Sequence, residues 1–336
     1  MSNTGSPGRR AQRLAYFSRL KKNLSFQVGV VIIGIYLVIS LLDIIYPRYI
    51  GVTNAFNLFS FTNPGLKSVA LAQPSPPTLN RGWLYVFGTT AYEIPILPVA
   101  LASIPVDLGY AVAVAGASAI VGTFIGVNGT FYSKKLEWVI SSLSNAFISF
   151  PLIISVMIFG LLMHFSLIAI FVGIILVLWA YYAQIARMLT LNLQGKQFIE
   201  SARAAGDSNS RIVFKHIIPN MVTPILVRFS LDMATVILIF SAANFMFWQQ
   251  FIPLATTPEL GGLMNGFPEF GFEFGYPLGG IVLGQQAHLI PSTASLFLYQ
   301  GFWWTVLFPV IFLLILVIGL ISFSDGLRKF LDPRTA

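Results

Sequence analysis

Long apolar runs separated by short polar segments set the organisation of this chain. Phe26–Tyr46 is 21 residues with a single charge, Asp43, near its end. Phe165–Ala186 and Phe302–Phe323 are 22 residues each and carry no charge. About 20 apolar residues cross a bilayer as a helix, which satisfies its own backbone groups in lipid. Leu108–Thr130, Trp138–Met163 and Asn220–Trp248 also meet that length, so six spans are expected. The fold class expected is therefore all-α: a polytopic membrane protein with six transmembrane helices. The first run is too long for a signal-peptide core, and no small-residue cleavage site follows it. It reads as a retained helix.

The polar segments complete the layout. Residues 1–25 are a basic cytoplasmic tail, followed by transmembrane helix 1 at 26–46. Residues 47–107 are an extracellular loop, in which Pro74-Ser75-Pro76-Pro77 favours extended backbone. Ile94–Leu101 within it is apolar but interrupted by Pro95 and Pro98, so it reads as a surface segment. Residues 108–248 hold transmembrane helices 2–5, 249–301 a second, aromatic-rich extracellular loop, 302–323 transmembrane helix 6, and 324–336 a cytoplasmic C-terminal tail. No internal repeat is visible, which leaves the inverted repeats of many secondary transporters unsupported.

The interruption at Arg187–Pro219 needs its own explanation. Gln197–Ala205 is helix-prone, with Glu200 early and Arg203 late, as the helix dipole favours. Gly206 is free to take a positive φ and stop that helix. Asp207, Ser208 and Ser210 are good N-caps for a second helix, which carries Ile212, Val213, Phe214, Ile217 and Ile218 and ends at Pro219. Two short helices joined by a glycine at 197–218 are expected to project into the cytoplasm. Ser201, Ala202, Ala204 and Ala205 are small enough to let another surface approach closely. The bland alternative is an amphipathic tie between two spans, which has no use for a glycine hinge between paired helices.

Charge orients the chain. Hydrophobic residues make up 56% of the 336, charged residues only 10%, and the formal net charge is +8. Lys and Arg favour the cytoplasmic side of a membrane. With both termini inside, the inner segments hold 16 of the 20 basic residues. The basic excess is thus topology and attraction to anionic membrane lipid, and no basic–aromatic array points to nucleic acid. The absence of cysteine excludes disulfides and cysteine metal sites. The three histidines are far apart, and no phosphate-binding loop, dinucleotide fingerprint or zinc-protease motif is present. No catalytic residue, metal ligand or cofactor site is indicated.

Arg228 and Asp232 lie within the fifth span at i,i+4 spacing, where a charge is costly. They read as translocation-path candidates, either a structural pair or a pore-facing one. An ATP-independent proton-coupled carrier or channel is the distant alternative that would use them as a relay.

At the cytoplasmic insert the sequence resembles the membrane subunits of ATP-binding-cassette importers. The residues carrying this are Glu200-Ser201-Ala202, Gly206 and Ile217-Ile218-Pro219, with Ser at a usual Ala position and Ile for the usual Leu. The resemblance narrows to the permeases of dipeptide, oligopeptide and nickel importers through further matches. These are Phe214–Asn220, Thr257-Pro258-Glu259-Leu260-Gly261, Trp303-Trp304 with Phe308-Pro309, Ser324–Arg328 and Leu331–Arg334. It spans about 87–334. It departs at Gly88–Pro95, where that group's acidic and Arg positions are lost, and in the enlarged loop around Gly266–Leu298.

The resemblance implies a permease subunit forming half of a solute path. Its coupling helices would seat in ATPase subunits through Glu200, Ser201, Ala202, Arg203, Gly206, Asp207, Arg211, Ile217 and Pro219. It implies a second, distinct permease, two ATP-binding subunits that hold ATP and Mg, and an extracellular solute-binding protein. The chain itself would bind no cofactor and be no enzyme. Di- and oligopeptides are the expected solutes and oligosaccharides the alternative. Glu259, Phe270, Phe272, Phe274 and Tyr276 are the outer-loop candidates for contact with solute or binding protein, or else for packing of an exterior cap.

Overall fold

The computed structural model describes residues 23–45, 75–89, 96–163, 167–256 and 303–331. The regular structure there is helical: α1 Leu24–Ile45, α2 Ile96–Tyr132, α3 Lys134–Ile148, α4 Leu152–Leu162, α5 Leu167–Gln194, α6 Gln197–Ala204, α7 Asn209–Ile212, α8 Ile218–Thr256 and α9 Trp304–Leu331. Among the described residues, four helical stretches are long and apolar enough to cross a membrane: Asp107–Tyr132, Ile168–Gln194, Asn209–Ala243 and Leu307–Lys329. The pair α3 and α4 makes a fifth if counted as one bent span. The 22 residues of α1 form a further apolar helix.

Three expectations are corrected. The run at Trp138–Met163, expected as one span, is broken at Ser149–Pro151, where α3 and α4 meet at 89°. A residue preceding proline is pushed out of the helical region, and Pro151 itself sits extended at φ −60°, ψ 125° as the N-cap of α4. Secondly, Ile94–Leu101 is not a surface segment. From Ile96 it is the start of α2, with Ile96, Ala100 and Ile104 buried. Pro98 falls in the first turn, where no intrahelical N–H bond is lost. Thirdly, the second cytoplasmic helix does not end at Pro219. It runs through a π turn, Val213–Ile217, straight into α8. Proline removes a helical hydrogen bond and crowds the carbonyl four residues earlier, and the wider π turn just before it relieves that clash.

In lipid, helices associate through close packing of small residues and a few hydrogen bonds. The α2–α5 seam follows this rule. Gly122 lies against Trp179 and Tyr182, and Gly126 against Ala183 and Ala186; a Cβ on Gly126 would stand 2.9 Å from the Ala183 Cα and the Ala186 Cβ. The α1–α9 crossing repeats it: Gly29 meets Phe323, Gly319 meets Ile32, and Gly326 meets Phe26. The Tyr36 hydroxyl donates to the Phe312 carbonyl at 2.7 Å. Ser155 likewise donates to the Gly173 carbonyl, joining α4 to α5, and Ser324 to the Val227 carbonyl, joining α9 to α8, each at 2.8 Å.

A short segment, Ser75–Thr89, folds over the Trp304 end of α9. Phe87 stacks on Phe308 at 4.4 Å. Gly88 takes φ 78° with Trp304 against it, where a side chain would not fit. Trp304 is therefore a buried packing residue, while Trp303 remains half exposed, as a membrane-interface residue would be.

Candidate functional site

The insert between α5 and α8 is built around a glycine turn. α6 ends with Gly206 at φ 84°. The Gly206 N–H donates to the Arg203 carbonyl and the Asp207 N–H to the Ala202 carbonyl, both at 3.0 Å. This pair of bonds is the Schellman closure that a left-handed residue permits. Ser208 then caps α7 by accepting from the Arg211 N–H at 3.4 Å. Asp207 clamps the turn from the side: it pairs with Arg211 at 3.0 Å and lies 3.6 Å from His216 Nε2. The hydrogen bond from Arg211 holds the Asp207 carboxyl below the usual carboxylate range.

The insert has two unlike faces. Ile199, Ala202, Ile212, Val213 and Ile217 are buried with Val127 of α2, Ala186 of α5 and Met221 of α8. Arg203 stands over the Phe131 ring at 5.8 Å, a cation–π contact with the end of α2. The Tyr132 hydroxyl lies 3.5 Å from the Ser210 hydroxyl. The other face, carrying Glu200, Ser201, Gly206, Ser208 and Arg211, is exposed, and so is Pro219. Phe214 stands on it 62% exposed, and Phe198 43%. Of the expected contact residues, then, Ala202 and Ile217 hold the insert against its own chain. Glu200, Ser201, Arg203, Gly206 and Arg211 are the ones presented outward. Phe131, Tyr132 and Phe198 are the contributors that sequence reasoning did not single out. Phe131 and Tyr132 lie some 70 residues away, and nothing local marks their contact.

The second candidate pair is joined as expected. Arg228 grips Asp232 through two bonds, Nε to Oδ2 and Nη2 to Oδ1, each 2.9 Å. Asp232 is 1% exposed, and the guanidinium lies 4.5 Å from the centre of the Tyr181 ring. Tyr182, fully buried, sits beside the Asp232 carboxylate. Arg228 also borders a cleft of about 440 Å³ at the α3–α4 break, shared with α5. Elsewhere Arg187 of α5 pairs with Glu137 of α3 at 2.9 Å, which ties the bent pair to α5. Among the described residues no group of three or more His, Cys, Asp or Glu is placed to hold a metal. Glu259, Phe270, Phe272, Phe274 and Tyr276 lie outside the described residues.

Residues 118–336 match the family of binding-protein-dependent transport system inner membrane components. The chain belongs to that family. It is 27% identical over 325 residues to the dipeptide transport system permease protein DppC of Alkalihalophilus pseudofirmus, covering 95% of this chain and 88% of that protein. It is 26% identical over 316 residues to a putative peptide transport system permease protein of Brucella abortus, covering 94% and 90%. With the oligopeptide transport system permease protein OppC of Escherichia coli the identity is 30% over 200 residues, covering 60% and 56%. The match includes the glycine-turn insert, the Arg228–Asp232 pair and α9. Chains of this family are inner-membrane transport components, and this one is a membrane permease subunit.

Proposed function

We propose that this chain forms half of the path of an ATP-driven importer of di- and oligopeptides. The observation carrying this reading is the insert at Gln197–Ile217: a glycine-turned helical pair, packed behind onto three helices, with a polar and aromatic face left free. That surface suits insertion into a cleft on an ATPase subunit. Six spans are proposed: α1, α2, the α3–α4 pair, α5, α8 and α9, with both termini cytoplasmic. A second permease, two ATP-binding subunits and an external solute-binding protein complete the machine. ATP and Mg belong to the ATPase partners. Their closure on ATP draws the two permeases' inserts together and opens the path outward.

Peptides are favoured as solute by the relatives' names. Oligosaccharides are the alternative solute, and the outer aromatic residues that would stack on them lie outside the described residues. The test is purification and reconstitution with the candidate partners. Expected is co-purification with ATP-binding subunits and ATP-dependent peptide uptake; a chain that purifies alone and transports without ATP refutes the reading. Orientation is tested in the same vesicles, because the cysteine-free background lets single cysteines be read cleanly. Ser18→Cys and Ser208→Cys should label from the cytoplasmic face, Ser75→Cys and Ser292→Cys from the outer face.

A further inference from the structure

We infer that the cleft at the α3–α4 break is a subsite for the terminal carboxylate of the peptide in transit, with Arg228 as its anchor. The inference rests on the peptide-import reading and adds the ligand group recognised inside the membrane. The cleft holds about 440 Å³, within the range of small-ligand sites, and Ser149, Tyr181, Arg228 and Thr235 bring polar groups to it in an otherwise apolar bundle. The α3–α4 break, α5 and α8 build it. Ser149 and Pro151 come from the break, Tyr181 from α5, and Arg228 and Thr235 from α8.

The Arg228 side chain reaches this cleft with donors to spare. Two of its five N–H groups are engaged by Asp232, from the Nε and Nη2 positions. The remainder, on the far edge of the guanidinium, have no acceptor on Asp232. The Tyr181 ring lies under the guanidinium, 4.5 Å from its carbon to the ring centre, and the two bonds to Asp232 hold the other side of the group. Arg is the side chain suited to planar two-point contact with a carboxylate. The Thr235 hydroxyl donates to the Leu231 carbonyl, and the Ser149 hydroxyl to the Asn145 carbonyl. Backbone freed by a broken helix is tolerated at membrane depth where it lines a cavity. The buried Asp232 has a second consequence. It neutralises Arg228, so an arriving anion is held by near contacts rather than by a net positive charge. A transport path needs a site that also lets go.

The test uses the assembled importer with Ser149→Cys or, separately, Thr235→Cys in this cysteine-free chain. The rate of thiol labelling of this chain is followed by mass spectrometry, with trialanine or trialaninamide as the probe. Trialanine should slow labelling at both positions at least 5-fold more than trialaninamide, and Arg228→Gln should abolish the difference. Equal protection by acid and amide, or a difference that survives Arg228→Gln, overturns the inference. Transport is read separately. Acid-selective protection without ATP-driven uptake would keep the subsite and remove the importer reading. Uptake with no acid selectivity would do the reverse.

Discussion

Substitutions at Gly206 separate backbone conformation from crowding, and they give the sharpest test of the insert. Apart from its own chain neighbours, no atom lies within 4 Å of where a Gly206 side chain would begin. A penalty for adding one must therefore come from φ 84° and not from collision. The left-handed conformation costs an L-residue about 1–2 kcal/mol, more with a branched Cβ and less for Asn. At about 1.4 kcal/mol per factor of ten, Ala should lower the population of the closed turn roughly 5- to 30-fold relative to Gly. Releasing φ breaks the bonds from the Gly206 and Asp207 N–H groups to Arg203 and Ala202, and α6 loses its fixed angle to α7. The spans are untouched, so membrane insertion should persist. The assay is the ratio of solute transported to ATP hydrolysed in the reconstituted complex. The expected order is Gly, then Asn close behind, then Ala, then Val, with Val nearly uncoupled. A Gly206→Val complex that transports normally, or an Asn variant as poor as Val, would refute the reasoning.

At the α2–α5 seam, Gly126→Val should drive a side chain into the Ala183 backbone and cost about 1–3 kcal/mol or more as overpacking, seen as a lower melting temperature in detergent. Arg228→Ala leaves Asp232, 1% exposed, without its partner and should cost roughly 3–5 kcal/mol. The double variant Arg228→Met with Asp232→Leu should melt near the wild type, and a double as unstable as the single would refute this account. The Asp207 carboxyl titrates below the usual range because Arg211 bonds it. Its contribution is complete above the unfolded value of about 3.9 and is lost only as pH falls through the lower folded value. In a His216→Gln background, which removes the titratable neighbour at 3.6 Å, Asp207→Asn should then weaken coupling equally at pH 8 and pH 5.5, and an effect that fades by pH 5.5 would contradict the sign.

Much of this was legible locally. The apolar runs located the membrane helices because length and hydropathy are properties of one segment. Gly206 was legible because a helix-forming stretch ends at glycine and restarts at Ser208. The Arg228–Asp232 pair followed from i,i+4 spacing alone. The break at Pro151 was hidden because hydropathy is blind to direction: an apolar run reads the same straight or bent through 89°. Pro98 misled in the opposite sense, since the first turn of α2 tolerates it. The inward turn of Ala202 and Ile217 depends on Val127 and Met221, and the cleft beside Arg228 exists only where residues 149–151, 181 and 235 converge. No local pattern carries such meetings.

The uninterrupted run from Asn209 to Ala243 has a mechanical meaning. With the π turn bridging Pro219, the part of the insert beyond Gly206 is the near end of a single rod that continues through the membrane. Ser324 touches that rod at Val227, about 22 Å from Ile212 and about 44 Å from its outer end at Thr256 at 1.5 Å per residue. A rod held there is a lever whose outer arm is about twice as long as its inner one. A tilt imposed at the cytoplasmic tip would return as an opposite and larger displacement at the far end, and the Arg228 cleft, one residue from that contact, would turn while hardly travelling.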